Sequence, residues 1–179
     1  MNVLYLKEAK TRKPDRIGCG IAEAFSQCDD VVHIATVKID GLQKTIKSIK
    51  SLIKQYNPEI IIAQKVLASI VLFELPPSIK KIIINPYLIL DDSDDSIKLP
   101  FILKYNNSRL YNWLIRVSTD FSLNRGNTCD DRTYLLALQT KNYTDPIEKI
   151  SSCHKAINNA RLHLDPDYEM PDIDELLKH

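Results

Sequence analysis

The chain has 179 residues, of which 44% are apolar and 26% are charged, and its formal net charge is +1. A chain of this length can bury a sizeable core, and it is predicted to form a single domain over residues 1–179. A net charge near zero gives no long-range attraction to nucleic acid or to an anionic membrane. We therefore expect the partner to be a protein or a small molecule, with no nucleic acid and no membrane.

The predicted elements alternate between short apolar strands and helices. Strands are predicted at residues 3–6, 31–37, 60–63, 81–84, 133–138 and 160–164. Helices are predicted at residues 17–28, 42–56, 65–75, 109–116, 146–158 and 171–178. This alternation is typical of an α/β protein with a mostly parallel sheet of about six strands and helices on both faces.

The clearest helix in the sequence begins after Asp40-Gly41 and ends at Asn57-Pro58. Its apolar residues recur at steps of four, three, four and three, and they are Leu42, Ile46, Ile49, Ile53 and Tyr56. Four lysines lie on the opposite face, at positions 44, 47, 50 and 54. This lysine stripe predicts a solvent-exposed helix face and gives only weak support for an anionic partner.

The segment from about 87 to 127 is predicted to be an insertion or a lid-like excursion from the sheet, with a helix around 109–116. It contains the acidic run at residues 91–95. That run lacks the central glycine and the terminal glutamate of a calcium-binding loop. A solvated acidic loop is therefore favoured over a metal site.

The cysteines and histidines give no indication of a bound metal or cofactor. No two of the four cysteines have C-x-x-C spacing, and no two histidines have metal-ligand spacing. Scattered thiols in a chain of this length fit a reducing compartment, where they act as small buried hydrophobes. The first apolar run is too short for a signal peptide. We therefore expect a cytoplasmic protein without a cofactor.

The third predicted strand runs directly into a helix, which is the setting of the G-x-S-x-G nucleophile elbow. Here the five positions read Ala63-Gln64-Lys65-Val66-Leu67. A lysine stands where the elbow has its serine, and neither glycine is present. The sequence thus predicts the scaffold of an acyl-transfer site without its nucleophile.

Three segments carry a resemblance to the small α/β-hydrolases that include the YqiA-like esterases. The first strand, at 3–6, is similar to the strand that leads into a His-Gly pair in that family. Residues 60–70 resemble the strand, elbow and helix, and residues 81–86 resemble the next strand, which typically ends in Asn-Pro. The resemblance spans most of the chain and implies a three-layer α/β-hydrolase-like sandwich.

The resemblance also places the family's site on particular residues of this chain. The His-Gly pair of the oxyanion region falls on Lys7 and Glu8, and the nucleophile falls on Lys65. An oxyanion hole needs free backbone N–H groups, and a glutamate beside it opposes the developing negative charge. Lys65 is either a desolvated amine capable of Schiff-base chemistry or, as we favour, a solvated lysine that begins a helix.

The acid and the histidine of the triad also have matching positions. The acid falls on Asn142, with Asp145 a few residues later, and the histidine falls on His163. His163 is either a vestigial catalytic base or a structural histidine. A histidine without a serine has no proton to accept, so the triad cannot operate. The resemblance implies a catalytically degenerate homologue that acts by binding; the alternative is an active small esterase with relocated catalytic residues.

Overall fold

The computed structural model of the chain describes residues 1–9, 20, 25, 30–76, 78–86, 108–123, 133–138 and 161–165. In chain order, the described elements are β1 (Asn2–Glu8), β2 (Val31–Val37), α1 (Leu42–Tyr56), β3 (Ile60–Gln64), α2 (Lys65–Glu74), β4 (Lys80–Ile84), α3 (Ser108–Leu123), β5 (Thr133–Leu138) and β6 (Arg161–Asp165).

The strands form one sheet in which every neighbouring pair is parallel. Their order is β2-β1-β3-β4-β5-β6. The first five positions of this order match one of the two common arrangements of doubly wound α/β sheets. The prediction of an α/β protein with a parallel sheet and helices is confirmed. The predicted helices at 146–158 and 171–178 lie outside the described residues, as does nearly all of the one at 17–28.

The three described helices contribute to one hydrophobic cluster on the sheet. This cluster includes Leu4 and Leu6 of β1, Ile49 of α1, Leu67 of α2 and Trp113 of α3. Strand residues of opposite parity, on the other face of the sheet, are also buried, and they are Val3, Tyr5, Ile60, Ile62, Ile82 and Ile84. All five residues of β3 are buried. Both faces of the central strands are therefore buried, which fits the uninterrupted apolar sequence of β3.

Helix α1 has the orientation that its sequence predicts. Ile49 is fully buried and Ile53 is partly buried against the cluster, whereas Lys47 and Lys54 are exposed. The helix ends where Asn57 adopts a left-handed conformation, with φ of 44°, and donates its backbone N–H to the Ile53 carbonyl. An asparagine tolerates this conformation well, which explains why the helix stops before Pro58.

Helix α2 is buried along most of its length, and ionisable side chains from two strands form hydrogen bonds with backbone groups at its ends. The Nζ of Lys81, a fully buried lysine on β4, donates a 2.8 Å hydrogen bond to the carbonyl of Leu75 at the helix C-terminus. The Glu8 carboxyl from β1 receives the Val66 N–H at the N-terminus. A cation at the C-terminus and a carboxyl at the N-terminus both match the polarity of the helix dipole.

Helix α3 lies within the segment predicted to be an insertion at about 87–127, and it packs into the core cluster. Trp113 is 5% exposed, and its Nε1 donates a 2.7 Å hydrogen bond to Oε1 of Glu74. The ring of Trp113 also meets Phe73 edge to face, with centroids 6.2 Å apart. This helix therefore packs against the end of α2 and contributes to the core cluster. The rest of the segment, including the acidic run at 91–95, lies outside the described residues.

Candidate functional site

The order of the strands points to one place for a site. The connection after β1 leads to β2 on one side, and the connection after β3 leads to β4 on the other. Ligands of open α/β sheets bind outside the carboxyl ends of the strands where the direction of winding changes. In this chain that place lies between the ends of β1 and β3, where Glu8 and Lys65 are found.

The turn from β3 into α2 is strained at Lys65. Its φ is 56°, in the left-handed region, and it is one of three non-glycine residues with positive φ among the described residues. A lysine in that region costs of order 1–3 kcal/mol, which the surrounding structure must offset. The sequence predicted a sharp turn at Lys65, and the structure places one there. The sequence did not predict that a non-glycine residue would adopt the left-handed backbone conformation at this turn.

Glu8 follows the same parity along β1 as Leu4 and Leu6, so it lies on the face of the sheet that α2 covers. Burial raises the pKa of the Glu8 carboxyl, while the charge of Lys65 and the hydrogen bond from the Val66 backbone lower it. Its Oε1 has no hydrogen-bond partner among the described residues. Glu8 is therefore a desolvated carboxyl whose pKa the charge of Lys65 partly lowers.

The contact between Glu8 and Val66 compensates for a missing helix cap. The N-cap residue of α2 is Gln64, which makes no side-chain capping hydrogen bond, and the first turn contains no acidic residue. The first N–H groups of a helix need acceptors from elsewhere. Glu8, from a neighbouring strand, supplies both an acceptor and a negative charge at this position.

Gln64 anchors the other side of the turn. Its Nε2 donates a hydrogen bond to the hydroxyl of Tyr5. Both residues are buried, and they lie on the face of the sheet opposite Glu8. The turn at Lys65 is therefore held from both faces by polar contacts to β1.

Asn85 follows strand β4 with a left-handed backbone conformation, as Lys65 follows strand β3. It follows β4 directly, its φ is 45°, and it is 3% exposed. Glu8, Lys65 and Asn85 thus stand just at or beyond the ends of three adjacent strands. Sequence reasoning used Asn85-Pro86 to support the family resemblance but did not identify Asn85 as a site residue. A buried asparagine immediately after a strand and before a proline was the available signal.

His163 lies within strand β6, in agreement with the strand predicted at 160–164. His163 pairs with Leu136 of β5, Leu136 pairs with Ile84 of β4, and Ile84 pairs with Gln64 of β3. His163 therefore stands level with the residue that precedes Lys65, towards the carboxyl edge. Three strand spacings separate the two backbones, or roughly 14 Å. The structure brings Lys7, Glu8 and Lys65 to one edge, with His163 three strands away.

Several predicted residues lie outside the described part of the chain. Asn142 and Asp145, matched to the catalytic acid, are among them, as are all four cysteines. Within the described ranges, no group of three or more histidine, cysteine, aspartate or glutamate side chains could hold a metal ion. None of the described helices is long and apolar enough to cross a bilayer.

The arrangement at the turn has a definite chemical character. It offers a backbone N–H, which donates to the Glu8 carboxyl of the protein itself, and an ammonium group whose charge lowers the pKa of that carboxyl. No described side chain at the turn is a serine or cysteine; the nearest serine, Ser69, lies one turn along α2 and its Oγ donates to the Lys65 carbonyl. No family model, curated protein or solved structure matches the chain.

Proposed function

We propose that the chain is a catalytically degenerate α/β-hydrolase homologue, similar to the YqiA-like esterases, that acts as a binding or interaction protein. The observation that carries this proposal is the Glu8 carboxyl facing the Val66 N–H at the Lys65 turn. In a hydrolase elbow, the N–H of the residue after the nucleophile donates to the oxyanion. Val66 has that position here, and its N–H already has an acceptor.

The energetic consequence supports the loss of activity. Removing one donor of an oxyanion hole costs roughly 3–4 kcal/mol of transition-state stabilisation. At this turn the donor is engaged, and a carboxyl with a raised pKa carries negative charge once it ionises. An oxyanion beside that charge would be repelled. The missing serine and the engaged donor therefore act in the same direction.

The proposal includes finer features of the fold and location. It includes a three-layer sandwich of about six strands in one domain, with the segment around 87–127 beside the site mouth, and a cytoplasmic location. Burial of both faces of the central strands and the parallel strand order support the sandwich. The scattered cysteines support the location. The partner is a protein or small molecule that binds at the edge where Lys7, Glu8 and Lys65 lie.

One observation favours the second candidate, a hydrolase with relocated residues. Glu8 is a desolvated carboxyl with a raised pKa, and it lies where the direction of winding of the sheet changes. A carboxyl of this kind can serve as a general acid or base. In this alternative Glu8 would activate water or a new nucleophile.

Hydrolysis of short p-nitrophenyl esters separates the two candidates. We expect no turnover above buffer for the wild-type chain, for Glu8→Gln or for the control Asp40→Asn, which removes an exposed carboxylate. Turnover by wild type that is lost in Glu8→Gln and kept in Asp40→Asn would establish the relocated hydrolase. Turnover that survives Lys65→Ala and is blocked by a serine-directed fluorophosphonate would also contradict the proposal.

A further inference from the structure

Within the part of the chain that the structure describes, nothing protects the outer edge of β2 in the way that native sheets usually protect an edge. β2 is the first strand in the sheet order, and its partner among the described strands is β1 alone. Its seven residues, Val31–Val37, include no charged residue, glycine or proline, and their register with β1 is continuous. Edge strands are normally blunted by lysines, prolines or bulges, because an open row of N–H and C=O groups invites another strand.

Exposed apolar side chains concentrate at the same edge. Among the described residues, the exposed large hydrophobics are Met1 at 47%, Val31 at 56% and Ile34 at 54%. Met1 adjoins Val31, whose N–H donates to the Met1 carbonyl. Among the described residues, the surface around β2 therefore combines a strand edge that pairs with no further strand with apolar side chains.

The backbone hydrogen bonds show which residues face outwards. Val31 donates its N–H to Met1, and the Val37 carbonyl accepts from Ala9, so the odd-numbered residues of β2 face β1. Because neighbouring residues of a strand alternate, Val32, Ile34 and Thr36 direct their N–H and C=O groups away from the sheet.

We propose that this edge pairs with β2 of a second copy of the chain, antiparallel about a two-fold axis at Ile34. A two-fold axis makes the interface self-complementary, so each residue must suit its symmetry partner. This register sets Ile34 against Ile34 and Val32 against Thr36, and the three outward-facing residues of each copy form hydrogen-bonded pairs. It uses the whole length of β2.

Charge also favours this register. Lys38, whose side chain is 68% exposed and lies 3.9 Å from Asp40 of its own copy, comes opposite Asp30 of the second copy at both ends of the pairing. Asp30 already contacts the N-terminal ammonium of Met1, and its side chain is 8% exposed, so the lysine of the second copy would add to an existing ion pair. The inference requires nothing of the Lys65 turn, so it stands or falls separately from the proposed function.

The first test is the mass of the protein in solution, measured by sedimentation equilibrium over a wide concentration range. We expect the wild-type chain to reach twice the monomer mass. Ile34→Lys should be monomeric, because it sets two like charges directly opposite each other. Lys47→Glu, on the exposed face of α1, should leave the dimer intact. A wild-type chain that stays monomeric, or an Ile34→Lys variant that still dimerises, would overturn the proposal.

Cysteine cross-linking tests the register itself. Paired residues of hydrogen-bonded antiparallel strands have Cα atoms about 5.5 Å apart, within the range that a disulfide spans. Ile34→Cys should therefore give a covalent dimer on oxidation. Two Thr36→Cys residues would lie roughly 13 Å apart and should cross-link no more than the parent chain with its own cysteines. Equal cross-linking of the two variants would contradict pairing about Ile34.

Discussion

Glu8 at the end of β1 and Lys65 at the start of α2 stand at the carboxyl edge of the sheet, and the charge of Lys65 lowers the pKa of the Glu8 carboxyl. Glu8 also accepts the Val66 N–H, which begins a helix that has no cap of its own. One side chain thus stabilises the helix and fills the place where a hydrolase would bind an oxyanion. Under the proposed function, this one side chain would account both for the stability of the helix start and for the loss of hydrolase activity.

The left-handed backbone at Lys65 predicts an unusual order of stabilities. Lys65→Gly should be more stable than Lys65→Ala by about 1 kcal/mol, because both lose the amine and only alanine retains a Cβ. At Lys47, within α1, the order should be reversed: Lys47→Ala should be more stable than Lys47→Gly by about 1 kcal/mol. Urea denaturation of the four variants gives the comparison. An alanine variant at position 65 as stable as the glycine variant would show that the turn is unstrained.

The raised pKa of Glu8 predicts a dependence of stability on pH. Because folding raises this pKa above its ordinary value of 4.5, the native state holds the proton more tightly than the unfolded state. The resulting contribution to stability is present below pH 4.5 and is lost as pH rises through the folded pKa.

Comparison with Glu8→Gln isolates this effect. Because glutamine cannot ionise, the stability of the variant relative to wild type should increase as pH rises above 4.5. Thermal melts across the acid to neutral range measure the difference, with Asp40→Asn as the control for loss of an exposed carboxylate. A constant difference over that range would mean that Glu8 is not desolvated.

The orientation of α1 predicts unequal effects at two neighbouring positions. Ile49 is fully buried, so Ile49→Ala should cost roughly 2–5 kcal/mol of unfolding free energy. Lys47 is exposed, and Lys47→Ala should change stability by less than about 0.5 kcal/mol. Equal shifts in the urea midpoint would mean that the helix packs through a different face.

The sequence carried most of the information about local structure and little about contacts between strands. The spacing of the apolar residues of α1 determines which face it buries, so the helix and its end at Asn57 were predictable. The turn at Lys65 followed from an apolar strand that meets an apolar helix without a break. The contact between Glu8 and Val66 depends on β1 lying beside β3, which periodicity does not encode. The same holds for the position of His163 relative to Lys65, which depends on the pairing of β6 with β5.

The Val66 amide in ¹H–¹⁵N spectra recorded across a pH titration tests the central claim most directly. If the Glu8 carboxyl accepts this N–H, the amide proton should move downfield as Glu8 ionises, with a midpoint above the ordinary glutamate pKa. The movement should disappear in Glu8→Gln and persist in Asp40→Asn. A Val66 amide shift that does not change with pH, or that changes equally in Glu8→Gln, would contradict the claim that the Glu8 carboxyl accepts the Val66 N–H.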